Sequence, residues 1–350
     1  MRKRISLLAA LFLFSFIIIS PLHAKTIKLR VHNSTSPQSI FVKGMLVPWS
    51  KMIEERTAAI GKPVKISIFT GSSIIPFGQH YRAVLKGTVD MSSNIDSDLV
   101  QDAGGVADVM NLPFLFRTTK AAALTALDLY EKYPEFRSPF SKAKLMWFQP
   151  TGPSNVIFSK KALKTAEDLK GLKTFAPNET INNLVSSFGG IPIDIPFIEV
   201  YQALDRGLID YIAKDWEAAM AFKFFEVTGY RTLLPIGFQS GFLIASMNWD
   251  TWNSMPPDVQ KIFEELNGRY MAEFTANNFD KTAGILRGVI GGIDKKQGKQ
   301  YYTVPDSEFN KWKDMVKPVY AGWVKRMEGK GLPGRAVFED AKQLGKKYSQ

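Results

Sequence analysis

The sequence predicts an α/β protein made of two units, and three observations predict it. Short runs of alternating apolar residues are separated by segments of helical period, in the order strand, helix, strand, helix, strand; that order builds a parallel sheet. The same grammar returns after about residue 150. The chain has 350 residues, enough for two cores of ordinary size.

The first unit opens with 26–32 (TIKLRVH), which alternates as a strand does. The polar stretch 33–38 (NSTSPQ) turns the chain. A helical pattern follows through Val42, Met45, Leu46, Trp49 and Ile53 and stops near Gly61-Lys62-Pro63. Val64–Phe69 alternates as a second strand. A helix with Tyr81, Val84 and Leu85 ends at Gly87, and 89–92 reads as the third strand.

In the second unit, strands are predicted at 146–149, 156–159, 172–175, 191–195 and 209–212. A helical turn at 166–169 and helices at 179–188 and 198–206 lie between them. Phe242–Met247 is a further strand. Pro256-Pro257-Asp258 then opens a long helix, with Val259, Ile262, Phe263, Leu266, Tyr270 and Phe274 at helical spacing and the pattern running to about Leu286. The segment 309–348 reads as helices.

At the start, Arg2, Lys3 and Arg4 precede the uncharged apolar run 5–19, and Ala24 offers a small residue for cleavage. This is the layout of a secretory signal peptide, 1–24, and it implies export. The run is shorter than the roughly 20 residues that span a bilayer. The chain has no cysteine, which removes disulfides and thiolate metal sites. The net charge of +12 is scattered rather than gathered into a stripe, so nucleic acid is not an expected partner. No phosphate-loop, dinucleotide or nucleophile-elbow motif occurs, and the three histidines cannot build a His-rich metal site. No cofactor, metal or catalytic activity is expected.

Four stretches carry a resemblance: GQHYRAVLKGTVDM (78–91), DLKGLKTFAPN (168–178), IPIDIPFIEVYQALDRGLID (191–210) and KFFEVTGY (223–230). Together they resemble the DctP-type solute-binding proteins of TRAP (tripartite ATP-independent periplasmic) transporters, the extracytoplasmic solute-binding family 7. The resemblance spans most of the chain after residue 24. It implies a two-lobed α/β periplasmic binding protein with a central cleft and a long helix spanning both lobes. It also implies boundaries: lobe I from 25–152 plus 241–280, lobe II from 153–240 plus 281–350. The implied role is capture of a small solute by cleft closure and delivery to TRAP membrane permease subunits, with a monomer expected. A ligand sensor for a membrane histidine kinase would use the same cleft, and a periplasmic enzyme is the third class.

The resemblance also points to site residues. The family string "GLKIRVPN" places an arginine in the cleft, where its fork of donors grips a carboxylate. Laid on GLKTFAPN, it puts Phe175 at the arginine position, so a simple C4-dicarboxylate is not the expected ligand. Asn155 aligns with a second polar position and Phe197 with an aromatic that packs on the ligand. Where the family reads "DGQENPL", this chain reads DYIAKDW (210–216), which brings in Lys214, Asp215 and Trp216. His32, Asn33, Asn94 and Asp96 lie at strand ends of the first unit, where α/β sheets form their crevices. Two chemistries compete. Lys214 replaces the arginine and holds an organic acid, aided by Asn155; or the cleft takes neutral, aromatic or amine solutes, with Phe175, Phe197 and Trp216 as stacking faces and Asp96 or Asp215 as the anion. The sequence leans to the second. Core packing for Phe175, inter-lobe packing for Trp216 and a solvated loop position for Lys214 are the competing structural roles.

Overall fold

The computed structural model describes residues 25–72, 74–76, 78–96, 105–238 and 240–349; the expected signal segment 1–24 lies outside them. Among the described residues no helix is long and apolar enough to cross a membrane.

Two sheets form. The first contains β1 (Ile27–Asn33), β2 (Val64–Thr70), β3 (Met91–Asp96), β4 (Lys144–Pro153) and β10 (Ser240–Met247), in the order β2-β1-β3-β10-β4. Its first three strands are parallel, as the alternation of strands and helices requires, while β10 runs antiparallel to β3 and β4. The second contains β5 (Val156–Ser159), β6 (Lys173–Phe175), β7 (Ile191–Ile193), β8 (Tyr211–Lys214), β9 (Tyr230–Leu233) and β11 (Gln300–Thr303), in the order β11-β9-β5-β8-β6-β7. Each sheet is the centre of one lobe. Two short segments join the sheets, from β4 to β5 and from β9 to β10. At the crossings the two segments touch: Phe238 N–H donates to Ser154 O at 3.1 Å. A Cβ on Gly237 would stand 2.6 Å from the Ser154 nitrogen, so only glycine admits this approach.

The first sheet is covered by α1 (Val47–Ala59), α2 (His80–Leu85), α3 (Thr119–Lys132), α4 (Pro134–Arg137), α8 (Trp249–Ser254) and α9 (Pro257–Leu266). A turn of π-helix at 40–46 precedes α1, because Pro48 has no N–H to continue one helix through. Trp49 of α1 lies 5.2 Å from Trp147 of β4 and 5.8 Å from Phe263 of α9, so three elements share one aromatic contact. The second sheet carries α5 (Glu179–Ser187), α6 (Val200–Arg206) and α7 (Trp216–Ala221).

The helix α10 (Gly268–Lys296) belongs to both lobes. Its first half buries Met271, Ala272, Ala276 and Phe279 against β4 and α3. Its second half buries Ile290 and Asp294 in the second lobe, and Asp294 pairs with Arg231 of β9 at 2.8 Å. The sequence pattern predicts one helix from Pro256 onward; the structure has two. The break falls at Asn267, which is extended, and Gly268, whose φ of 49° lies in the left-handed region that glycine tolerates.

The last three helices are α11 (Asp306–Met315), α12 (Lys317–Gly329) and α13 (Gly334–Tyr348). Here the structure departs from the assignment of 281–350 to lobe II. α12 lies on α5, with Arg326 paired to Glu179, but α13 packs on α3 of the first lobe. Gly345 sits so close to Leu115 O that a Cβ would approach to 2.6 Å. Tyr348 Oη donates to Asp128 Oδ2, and Lys132 pairs with Asp340.

Candidate ligand-binding site

The topology locates the cleft before any side chain is considered. β6, β7 and β8 are parallel and end at Phe175, Ile193 and Lys214. β5 starts at the same edge, since Val156 pairs with Lys214. In the other sheet β1, β2 and β3 end at Asn33, Thr70 and Asp96, and β4 ends at Pro153. Both crossings leave from these edges, so the carboxyl ends of the two parallel strand sets face one another. Such crevices are where α/β folds hold their ligands.

At the second-lobe edge, phenylalanines surround one cation. The Phe175 and Phe197 rings are 5.4 Å apart. Phe197 sits on the 3₁₀ turn after β7 and meets Phe222 edge-on at 4.6 Å; Phe222 in turn stacks on Phe224 at 5.8 Å. Lys223 lies between these two with φ of 59°, an unusual backbone for a side-chain-bearing residue that lets the flanking rings fall on one side. Lys214 Nζ stands 5.0 Å from the Phe197 centroid and 5.9 Å from that of Phe175. Ring faces carry negative charge and attract an ammonium at such distances. Lys214, Phe175 and Phe197 are all half-buried, which suits groups at the rim of a closing cleft.

The next residues serve the lobe. Asp215 is buried and caps α7: its Oδ1 accepts from Glu217 N and Ala218 N, both at 3.0 Å. Burial raises the Asp215 carboxyl above its ordinary range, and the two amide bonds and Lys214 only partly offset this. Trp216 is buried with its edge on Phe158, 5.8 Å away, and packs in the second-lobe core. Glu217 is pushed up to about 8 by burial and by the neighbouring Asp215 carboxyl.

On the first lobe, His32 and Asn33 are wholly buried. His32 contacts Gly71 O through Nε2 at 3.0 Å and Ser92 Oγ through Nδ1 at 3.4 Å, and its ring stacks on His80 at 5.2 Å. Burial lowers both histidines, His80 to about 4. Asn33 donates to Ser93 Oγ and accepts from Thr35 N and Thr35 Oγ1. These two residues tie three strand ends together. Asn94 and Asp96 fall in the second half of β3; their side chains lie outside the described ones. Asn155 is half-buried in the first crossing, where its carbonyl accepts from Leu234 N of the second crossing.

Of the predicted set, Phe175, Phe197 and Lys214 come together; Asp215, Trp216, His32 and Asn33 are engaged inside their lobes. Phe222 and Phe224 are additions. Phe224 falls inside the family string KFFEVTGY (223–230), while Phe222 stands one residue before it and carries no signal in the sequence.

The model of the bacterial extracellular solute-binding protein family 7 (DctP) matches residues 23–326. The 2,3-diketo-L-gulonate-binding periplasmic protein YiaO of Escherichia coli K12 is 27% identical over 261 residues, covering 71% of this chain and 76% of its own. A TRAP solute-binding protein from Rhodoferax ferrireducens T118, solved with copurified benzoate, superposes with a TM-score of 0.82 at 23% identity over 92% of this chain and 98% of that one. One from Bordetella bronchiseptica, with bound (R)- and (S)-mandelate, superposes with a TM-score of 0.79 at 23% identity over 92% and 99%. With two sheets, two crossings, a helix shared by both lobes and a family match across most of its length, the chain belongs to the bacterial extracellular solute-binding protein family 7, the DctP type of TRAP solute-binding proteins.

Proposed function

We propose that this chain is a periplasmic receptor that captures a small organic acid with an aromatic or apolar body, holds its carboxylate at Lys214, and delivers it unchanged to the membrane permease of a TRAP transporter. The observation that carries this reading is Lys214 Nζ standing over both the Phe197 and Phe175 rings at the strand ends. It supplies a positive charge beside the position at which the family string has arginine. A single ammonium is a point charge and lacks the planar fork that grips a carboxylate through two parallel bonds. The rings around it suit an apolar body better than a second carboxylate.

The amine alternative loses support at Asp215, whose oxygen is engaged by two backbone amides of α7. The stacking face expected of Trp216 lies in the lobe core instead. The benzoate and mandelate found with the Rhodoferax and Bordetella proteins are acids of the proposed kind. Cleft closure follows the usual energetics: ligand favours the closed form only through contacts that closure adds.

A thermal-shift and calorimetry series tests the reading. Benzoate and mandelate are expected to stabilise the protein, and malate, succinate and fumarate to do so weakly. Lys214→Ala is expected to weaken the aromatic acids far more than Asp215→Ala, which removes a helix cap and costs about 1 kcal/mol of stability. Strong stabilisation by the C4-dicarboxylates, or the reverse ranking of the two variants, overturns it.

A further inference from the structure

We infer that Asp108 is a positioning residue for solute capture: its carboxylate, carried by the first lobe, is the pivot about which the second lobe turns as the cleft closes. This role needs the cleft closure proposed above, but neither the identity of the ligand nor the part given to Lys214.

Asp108 lies on a buried 3₁₀ turn, Val106–Asn111, which follows β3 and packs on β10 and α4 of the first lobe. Its Oδ1 accepts from Asn111 Nδ2 of the same turn at 3.1 Å, so one side of the carboxylate is fixed to its own segment. Its Oδ2 accepts three bonds, all from the other lobe and its covering helices. They come from Thr180 Oγ1 at the start of α5, and from Trp323 Nε1 and Arg326 Nη2 of α12, the last two at 3.1 Å. Arg326 also donates to Glu179 Oε1 at 3.0 Å and to Thr180 Oγ1 at 3.1 Å, which makes α5 and α12 one body. Bonds between charged partners such as these are the strong ones. α5 begins just past Phe175 and the turn 176–178, at the cleft edge of the second sheet. A carboxylate of one lobe thus holds the element that follows the β6 strand end of the other.

Three bonds that meet on one oxygen resist separation but allow turning. α5 and α12 can rotate about that atom with small changes of angle, whereas spread contacts would have to break. A second fixed point lies further along the same segment. Phe114 has a φ of 58°, a left-handed backbone that is costly for a bulky residue and persists only where its surroundings impose it. In that conformation its N–H donates to Gly237 O of the second crossing at 3.2 Å. Its ring lies 5.4 Å from Phe238 and edge-on to Phe309 of α11 at 5.0 Å. Between the two points in sequence, Pro113 O accepts from Tyr320 Oη of α12 at 2.7 Å. Two fixed points set an axis, so the segment 108–114 gives the lobe motion a direction as well as a limit.

Spin-label distance measurements without ligand test this. The chain has no cysteine, so Lys261→Cys on α9 and Arg206→Cys on α6, both exposed, label one site on each lobe and nothing else. Asp108→Asn keeps the shape of the side chain and removes its charge. It is expected to shift or broaden the distance between the lobes by more than about 2 Å, the scale of a domain rearrangement. Thr180→Val, which deletes only the α5 bond, is expected to do the same to a smaller extent, and decides the question if Asp108→Asn does not fold. Ile53→Ala opens a cavity in a first-lobe core cluster separate from this joint. It is expected to lower the melting temperature and leave the distance unchanged. Unchanged distances in both joint variants, with only their melting temperatures lowered, overturn the inference, and so does equal broadening in Ile53→Ala. Benzoate added to the wild type is a separate arm: failure to shorten the distance counts against the ligand proposed above, and the variants without ligand still decide the part of Asp108.

Discussion

Arg231 and Asp294 form a fully buried, two-pronged ion pair, with Nη2–Oδ1 at 2.8 Å and Nε–Oδ2 at 3.0 Å. It fastens the far half of α10 to β9 of the second sheet. The remaining guanidinium donors reach Thr228 Oγ1, Tyr230 O and Phe225 O, the plane lies 5.1 Å from the Phe158 centroid, and Tyr301 Oη donates to Asp294 Oδ2. Charges so far from water are tolerated only when every donor and acceptor is met.

Removing one partner leaves the other charge stranded. Asp294→Ala is therefore expected to destabilise the protein by about 3–5 kcal/mol. A urea titration of wild type and variant measures it. The double replacement of Arg231 and Asp294 by apolar residues is expected to be milder than either single change.

Gly237→Ala tests the contact between crossings. The added Cβ meets backbone at 2.6 Å and Pro153 carbons at 2.8 Å, neither of which is a flexible side-chain end. A loss of about 1–3 kcal/mol is expected. If the proposed closure turns on these crossings, small-angle scattering of the variant is expected to show a changed balance of open and closed forms.

The stacked pair His32 and His80 is expected to limit stability in acid. Burial lowers both imidazoles, His80 to about 4, against about 6.5 in an unfolded chain. The folded state thus binds fewer protons, and the pair's contribution is fully present above about pH 6.5 and lost as the pH falls toward about 4. His80→Gln is expected to flatten the fall in urea midpoint across that window.

Glu217 is expected to act in the opposite sense. Its folded value of about 8 lies above the ordinary value of 4.5, so the folded state holds a proton that the unfolded chain releases. Stability from this group is full below about pH 4.5 and declines as the pH rises to about 8. Glu217→Gln is expected to be more stable than wild type at pH 8 and nearly equal at pH 4.5, measured as melting temperatures in matched buffers.

Much of this architecture is legible in the sequence because strands and helices have their own periods. β1, β2 and β5 fall within a residue or so of where alternation puts them. β11 is absent from that reading because three of its four residues are exposed, and an edge strand with no buried face has no alternation to detect. The break before Gly268 is hidden because apolar spacing continues across it; only the backbone angle reveals it. The same limit applies to the site. Phe175 and Lys214 stand out because they replace residues of a known string, whereas periodicity does not say on which side of a strand end Trp216 will fall. The seat of α13 on α3 is a contact across some two hundred residues, with Tyr133 and Asp340 separated by 207, and no local pattern encodes it.

That seat bears on how the molecule comes into being. α3 is covered by β4, by α10 and, on one further face, by α13, which is made some two hundred residues later. A chain threaded through a membrane from its amino end would have to keep that face from aggregating until the carboxyl end arrived. Removal of the last fifteen residues should cripple the lobe that lies farthest from them in order of synthesis.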